Sequence, residues 1–222
     1  VTIPGAVDAW YAMHKKFGKL DFEKLFATAI YYAREGFPVH EIEAFHWKKN
    51  EDKLKKNKVT KQIFLKNNKA PVFGKKFTNI QLAETLTLIA KKGAKAFYEG
   101  EIARDMVNSL NNLGGLHTEE DFYNQNTIFS DTLISSYKDY NIHQCPPNGP
   151  GLVVHLMMKL LDKFNWFNLD AFDPMRFHIQ AEVSKVCFEI KETILGDPQF
   201  NNMDIEYLMS SESIDNLFKK IN

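Results

Sequence analysis

Through most of this chain the apolar residues recur at helical spacing, but residues 127–145 alternate instead. Ile128, Phe129, Thr132, Leu133 and Ile134, followed by Tyr140, Ile142 and Cys145, read as strands over 128–134 and 139–145 that turn at Tyr137-Lys138-Asp139. Two strands alone are only marginally stable in water, so this segment is expected to pack against further polypeptide. The run that follows, from Pro146 to Gly151, holds three prolines and two glycines in six residues and must be loop. Glycine lets a backbone approach a ligand closely, so this loop is placed to present backbone N–H groups.

Elsewhere the spacing predicts helices. One covers 5–17 with Gly18 as its C-cap, and a second follows Asp21 as N-cap and ends at Gly36, where Pro38 cannot continue it. A third starts near Val39 and fades into a Lys/Asn-rich stretch over 48–69, read as a solvated face or loop. Helical patterns resume from Asn79 to Gly93, over 94–98 and over 101–112, ahead of Gly114-Gly115. Thr118 with Asp121 forms a capping box, with Asp in the third position where Glu is usual. A strongly apolar helix is expected over 152–164, a long amphipathic one over 174–195, and short helical pieces after Pro198. This divides the chain into a helical lobe, 1–126, and a part with two strands plus helices, 127–222, without a linker between them.

Composition excludes several function classes. The chain has 222 residues, enough for one domain with a small lobe, and its 44% hydrophobic and 25% charged fractions are ordinary for a globular protein. Lys and Arg total 28, as do Asp and Glu, so no basic surplus exists to gather phosphates and nucleic acid is not an expected partner. No apolar stretch approaches the roughly 18–20 residues of a membrane span. The chain opens at Val1 without Met and runs straight into an element, so its natural N-terminus is expected upstream.

The residues themselves carry little visible chemistry. No nucleophile elbow, Walker loop, dinucleotide fingerprint or C-x-x-C pair is present. His40-Glu41 opens like a zinc-protease helix, but the next histidine is His46, six residues on rather than the four that share a helix face. His14, His117, His143, His155 and His178 are scattered and read as surface or satisfied core histidines. Cys145, with no cation or helix terminus assigned beside it, reads as a buried structural thiol, and Cys187 as core. Glu182, Lys185, Glu189 and Glu192 fit ordinary helical ion pairs better than a carboxylate dyad.

Several strings, in order and over almost the whole chain, are together similar to the gamma-glutamyltranspeptidase family. Pro4 to Trp10 resembles its PGxVxGW segment, Ala33 to Val39 its AxxGFxV turn, and Phe97 to Ala103 its FYxGxIA. Gly114 to Phe122 resembles GGLhTxeDl, Tyr137 to Gly151 its strand and Pro-rich loop, and Gly196 to Phe200 its GDPxF. The departures are Ala9 in place of a glycine, Asn148 in place of the third loop proline, and Ile190-Lys191 where Asp-Arg is frequent. They bear on substrate specificity rather than on fold.

This resemblance implies an α+β, predominantly helical chain forming the large-subunit part of an αββα N-terminal-nucleophile hydrolase sandwich. In such enzymes a precursor cleaves itself, and the new N-terminal Thr of the small (β) subunit attacks a gamma-glutamyl amide such as glutathione with its own α-amino group as base. The nucleophile, most glutamate-binding groups and the carboxylate-gripping Arg are then expected outside this chain, so no catalytic residue is assigned within it. The candidate substrate-binding residues are Asn148, Gly149 and Gly151 of the loop. The implied partners are the small subunit and a gamma-glutamyl small molecule, and no metal or organic cofactor is implied. Two alternatives stay open: a cephalosporin-acylase-like amidohydrolase, and a non-catalytic member acting as a binding or structural module.

Overall fold

In the computed structural model, which describes residues 2–164 and 166–221, the helical spacing of the first half becomes a run of short helices. They are α1 (Ala6–Phe17), α2 (Phe22–Glu35), α3 (Glu41–Lys49), α4 (Glu51–Lys55), α5 (Lys58–Phe64), α6 (Ile80–Lys92), α7 (Lys95–Tyr98), α8 (Glu101–Asn111) and α9 (Glu119–Tyr123). The chain divides into two compact units, Val1–Thr127 and Ile128–Asn222.

In the first unit α2 packs along α6, and Phe26, Ile89, Ala90, Tyr98, Val107 and Phe122 fill the core. The Tyr98 hydroxyl donates to the Pro4 carbonyl (2.6 Å) and accepts from the Asp8 N–H (3.2 Å). The Asp8 carboxylate accepts from the Thr127 N–H (2.7 Å) and hydroxyl (2.6 Å), tying the start of the unit to its end. The capping box expected at Thr118 is present: Asp121 accepts from the Thr118 N–H at 2.7 Å while its own N–H reaches the Thr118 hydroxyl at 3.3 Å.

Gly36 ends α2 at φ +89°, and a Cβ there would stand 2.7 Å from the Phe77 carbonyl. That close approach belongs to a sheet the local pattern does not announce. Strand β1 (Phe37–Pro38) pairs antiparallel with β2 (Lys76–Phe77), Phe37 facing Phe77 and Pro38 facing Lys76. The Lys/Asn-rich stretch between them forms α4 and α5 rather than open loop, and neither buries a residue fully.

The second unit contains β3 (Leu133–Tyr137), β4 (Tyr140–Gln144), α10 (Gly151–Asp162), a 3-10 turn (Trp166–Asn168), α11 (Pro174–Ile194), α12 (Ile205–Met209) and α13 (Ser211–Phe218). The apolar helix α10 buries Leu152, Leu156 and Leu160 to 2% exposure or less. It packs against α11, whose Ile179, Val183, Cys187 and Ile190 face inward at spacings of three and four. Asp173 caps α11 by accepting from the Met175 N–H at 2.8 Å, and Pro174 fills its first position.

The hairpin is shifted from its expected bounds of 128–134 and 139–145. A turn at Lys138-Asp139, with Lys138 at φ +53°, pairs Tyr137 with Tyr140 and so brings Leu133 opposite Gln144. Beyond Gln144 the chain soon reaches Pro146, which has no N–H to continue the ladder, and residues 128–132 are left without a facing strand. Leu133, Ser135 and Ile142 turn toward α10, whereas Ile134, Ser136, Asn141 and His143 are exposed on the other face. Neither outer edge of this two-stranded sheet pairs with another described strand.

Candidate functional site

The candidate loop joins β4 to α10. Its geometry follows from where Gly151 sits. Gly151 is buried at the first position of α10, and a Cβ there would collide with the Cys145 carbonyl and come within 2.8 Å of the Gln144 Cβ. Only glycine lets the helix begin this close to the end of the strand. Asn148 and Gly149 lie in the same turn: Asn148 is exposed, and a Cβ on Gly149 would meet open space. The loop thus separates the three candidates, one serving a backbone contact and two facing outward at the N-terminal, partially positive end of a 12-residue helix.

Behind the loop lies a polar contact that the sequence reading passed over. The Ser135 hydroxyl on β3 is 2.5 Å from Nδ1 of His155 on α10, with Ser135 6% exposed and His155 fully buried. The other ring nitrogen, Nε2, is buried without a hydrogen-bond partner among the described residues. Burial holds the His155 pKa below its ordinary value of 6.5; the Leu133 carbonyl opposes this, and the charges of Lys159 and His143 add to it. A hydroxyl beside an imidazole is the geometry of an activated nucleophile. Here both groups are sealed from solvent, so the pair fastens the hairpin to the helix and has no access to a substrate. The signal was His155 inside the otherwise apolar run from Leu152 to Met158, since a buried polar group needs a partner.

The remaining candidates resolve simply. Cys187 is fully buried, and burial pushes its thiol up to about 12, so it is core and unreactive. Cys145, expected to be buried, is exposed, because the tight start of α10 occupies its carbonyl side and leaves the residue at the surface. Lys185 pairs with Glu182 at 2.8 Å and Lys191 with Glu192 at 2.9 Å, as ordinary surface ion pairs. The His40 ring caps α3 by accepting from the Ile42 N–H at 3.3 Å. Among the described residues no three His, Cys, Asp or Glu side chains converge to hold a metal ion, and no helix is long and apolar enough to cross a membrane.

Comparison with known proteins places this geometry. The family model for gamma-glutamyltranspeptidase matches residues 1–222. The chain is 33% identical over 221 residues to the glutathione hydrolase-like YwrD proenzyme of Bacillus subtilis, covering 100% of this chain and 42% of that protein. It is 34% identical over 219 residues to glutathione hydrolase proenzyme 2 of Schizosaccharomyces pombe, covering 96% of this chain and 35% of that protein. The chain thus spans well under half the length of these curated relatives. Among solved structures, it superposes on a gamma-glutamyltranspeptidase of Helicobacter pylori with TM-score 0.89 at 25% identity, over 99% of this chain and 63% of that one. A cephalosporin acylase of Bacillus halodurans gives TM-score 0.90 at 30% identity, over 100% of this chain and 42% of that one. The fold is therefore the helix-rich α+β large-subunit part of an N-terminal-nucleophile hydrolase. With the whole chain matched by one family model, this protein belongs to the gamma-glutamyltranspeptidase family.

Proposed function

We propose that this chain is the larger scaffold part of a gamma-glutamyl transferase or hydrolase that cleaves glutathione-like amides, with its Thr nucleophile on polypeptide outside this chain. The observation that carries this reading is the co-linear match, from end to end, to glutathione hydrolases of which the chain spans 35–42%. The Thr hydroxyl attacks the gamma-carbonyl with the Thr α-amino group taking its proton. The amine then leaves with a proton, and water or an acceptor amine cleaves the resulting ester. Two features of the second unit support a missing partner: the open outer edges of β3–β4, and an outer hairpin face that leaves Ile134 55% exposed.

Within this reading Asn148 and Gly149 contribute to the substrate cleft, and Gly151 holds the loop at the helix start. Asn148→Ala should raise KM for a gamma-glutamyl anilide several-fold with little change in stability, because its side chain is exposed. Intact mass and N-terminal sequencing, combined with gamma-glutamyl anilide hydrolysis, test the larger claim. A second polypeptide beginning with Thr, together with turnover, is the expected result. A lone species of about the mass of this chain with no turnover would leave a scaffold without enzymatic function.

The likeness to the cephalosporin acylase favours a second reading, in which the same nucleophile acts on a different acyl group. Turnover of a cephalosporin side-chain amide in preference to the gamma-glutamyl anilide would select it.

A further inference from the structure

A cavity of about 910 Å³ lies wholly within the first unit, in the ~300–1,000 Å³ range of small-molecule pockets. Half-buried Phe64 and Phe77 line it, their rings parallel to within 5° at a centroid distance of 6.2 Å. Trp47 backs Phe77 at 4.7 Å. Lys66, Lys69, Lys75 and Lys76 also line it, and no carboxylate does. In a chain of zero net charge, that is a local concentration of positive charge on an apolar surface.

All four of these lysines are exposed. Lys48 pairs with Glu51 and Lys55 with Glu51 and Asp52, whereas the four cavity lysines have no ion-pair partner among the described residues. Lys66 and Lys69 face each other across a two-residue turn, each N–H donating to the other's carbonyl at 3.0 Å. Asn67 at φ +52° and Asn68 at φ +63° give that turn its left-handed backbone, which asparagine tolerates better than most residues. Like charges directly opposite one another cost stability, and an anion bound between them would reverse the cost. The Ala70 N–H, beyond the turn, donates to Glu51 at 3.1 Å, which fixes the wall on which the turn stands.

We propose that this groove binds a small organic anion with a planar apolar body, its acidic group against Lys66 and Lys69 and its ring system over Phe64 and Phe77. The charge places the acidic group, and the paired aromatic rings place the body. None of its lining residues belongs to the loop at Asn148, and the proposal does not depend on the catalytic reading above.

The test uses 8-anilinonaphthalene-1-sulfonate and its uncharged counterpart, N-phenyl-1-naphthylamine, titrated into the purified protein by calorimetry and by emission sensitised from tryptophan. One saturable site for the sulfonate is expected, weakened about tenfold when salt rises from about 0.05 M to about 0.5 M. The double variant Lys66→Gln/Lys69→Gln should lose about tenfold in affinity while its thermal midpoint stays level or rises, since it removes a like-charge pair. Lys185→Gln, which removes a lysine paired elsewhere, should leave binding unchanged. Trp47→Phe should remove most of the sensitised emission, which locates the dye beside Phe77. Equal binding of the neutral amine overturns the proposal, as does an affinity indifferent to salt and to the double variant, or the absence of a saturable site.

Discussion

Residues 151–162 and residues 41–77 are both rich in helix, yet they are held by different forces. In α10, seven of twelve residues are buried, and its leucines interlock with α11. In α3, α4 and α5 no residue is buried. In that stretch burial is confined to Leu65 and Ala70, outside the helices, and one carboxylate and a cluster of rings supply the remaining contacts. Glu51 accepts from Lys55 at 2.9 Å, Lys48 at 3.0 Å and the Ala70 N–H at 3.1 Å, while Trp47 meets Phe64 and Phe77 at a tilt and the two phenylalanine rings lie parallel. Apolar burial scales with area and is not screened by mobile ions, whereas ion pairs that reach solvent are weaker and screened. The difference teaches where rigidity lies: the helix that carries the candidate loop is anchored in a core, and the basic groove hangs on charges and aromatic edges.

Truncation in the two regions should give the largest contrast. Leu156→Ala removes a fully buried side chain and should cost about 2–5 kcal/mol in urea unfolding, whereas Val59→Ala on exposed α5 should change stability by less than about 0.5 kcal/mol. Comparable losses would break the distinction. Gly151→Val forces a side chain into the Cys145 carbonyl and should cost roughly 1–3 kcal/mol while displacing the Asn148 turn, visible as lost protection of the α10 amides in hydrogen exchange.

The pH responses should differ in kind. His155 is buried with a depressed pKa, so the unfolded chain binds its proton more readily than the folded one. Its contribution is complete above the unfolded value near 6.5 and is lost as pH falls below it. His155→Gln, which cannot take up that proton, should flatten stability between about pH 7 and about pH 5. Glu51 is held at about 2, first by Lys55 and then by Ala70 and Lys48, so its contribution is present above its ordinary 4.5 and fades as pH drops toward 2. Glu51→Gln should therefore lower the thermal midpoint slightly at pH 7, a difference that vanishes below about pH 2; the effect is the smallest of the set because Gln keeps an acceptor for the Ala70 N–H and the lysine partners reach solvent.

Apart from α4 and α5, which lie in the stretch read as a solvated face or loop, the helices could be read from apolar spacing, and the capping box at Thr118-Asp121 and the stop at Gly36 from local chemistry alone, since each depends on residues within a few positions. The hairpin was legible as a hairpin, but its register was set by the turn at Lys138 and the proline at 146, which trimmed the first strand to Leu133. The pairing of Phe37 with Phe77 had no local sign, because a two-residue strand has no period and its partner lies forty residues away. The loop at Asn148, Gly149 and Gly151 was visible as a loop. That Gly151 faces a strand end while Asn148 faces solvent was not.

By itself, then, the sequence determined the helical periods, the caps, the single alternating segment and the family strings, all of which are short-range or co-linear signals. Only the tertiary structure decided that Ser135 meets His155, that Cys145 stays at the surface, and that four lysines share one aromatic-floored groove. The reason is physical: burial and the meeting of side chains from separate elements depend on which segments pack together, and no pattern within either segment encodes which partner it will meet.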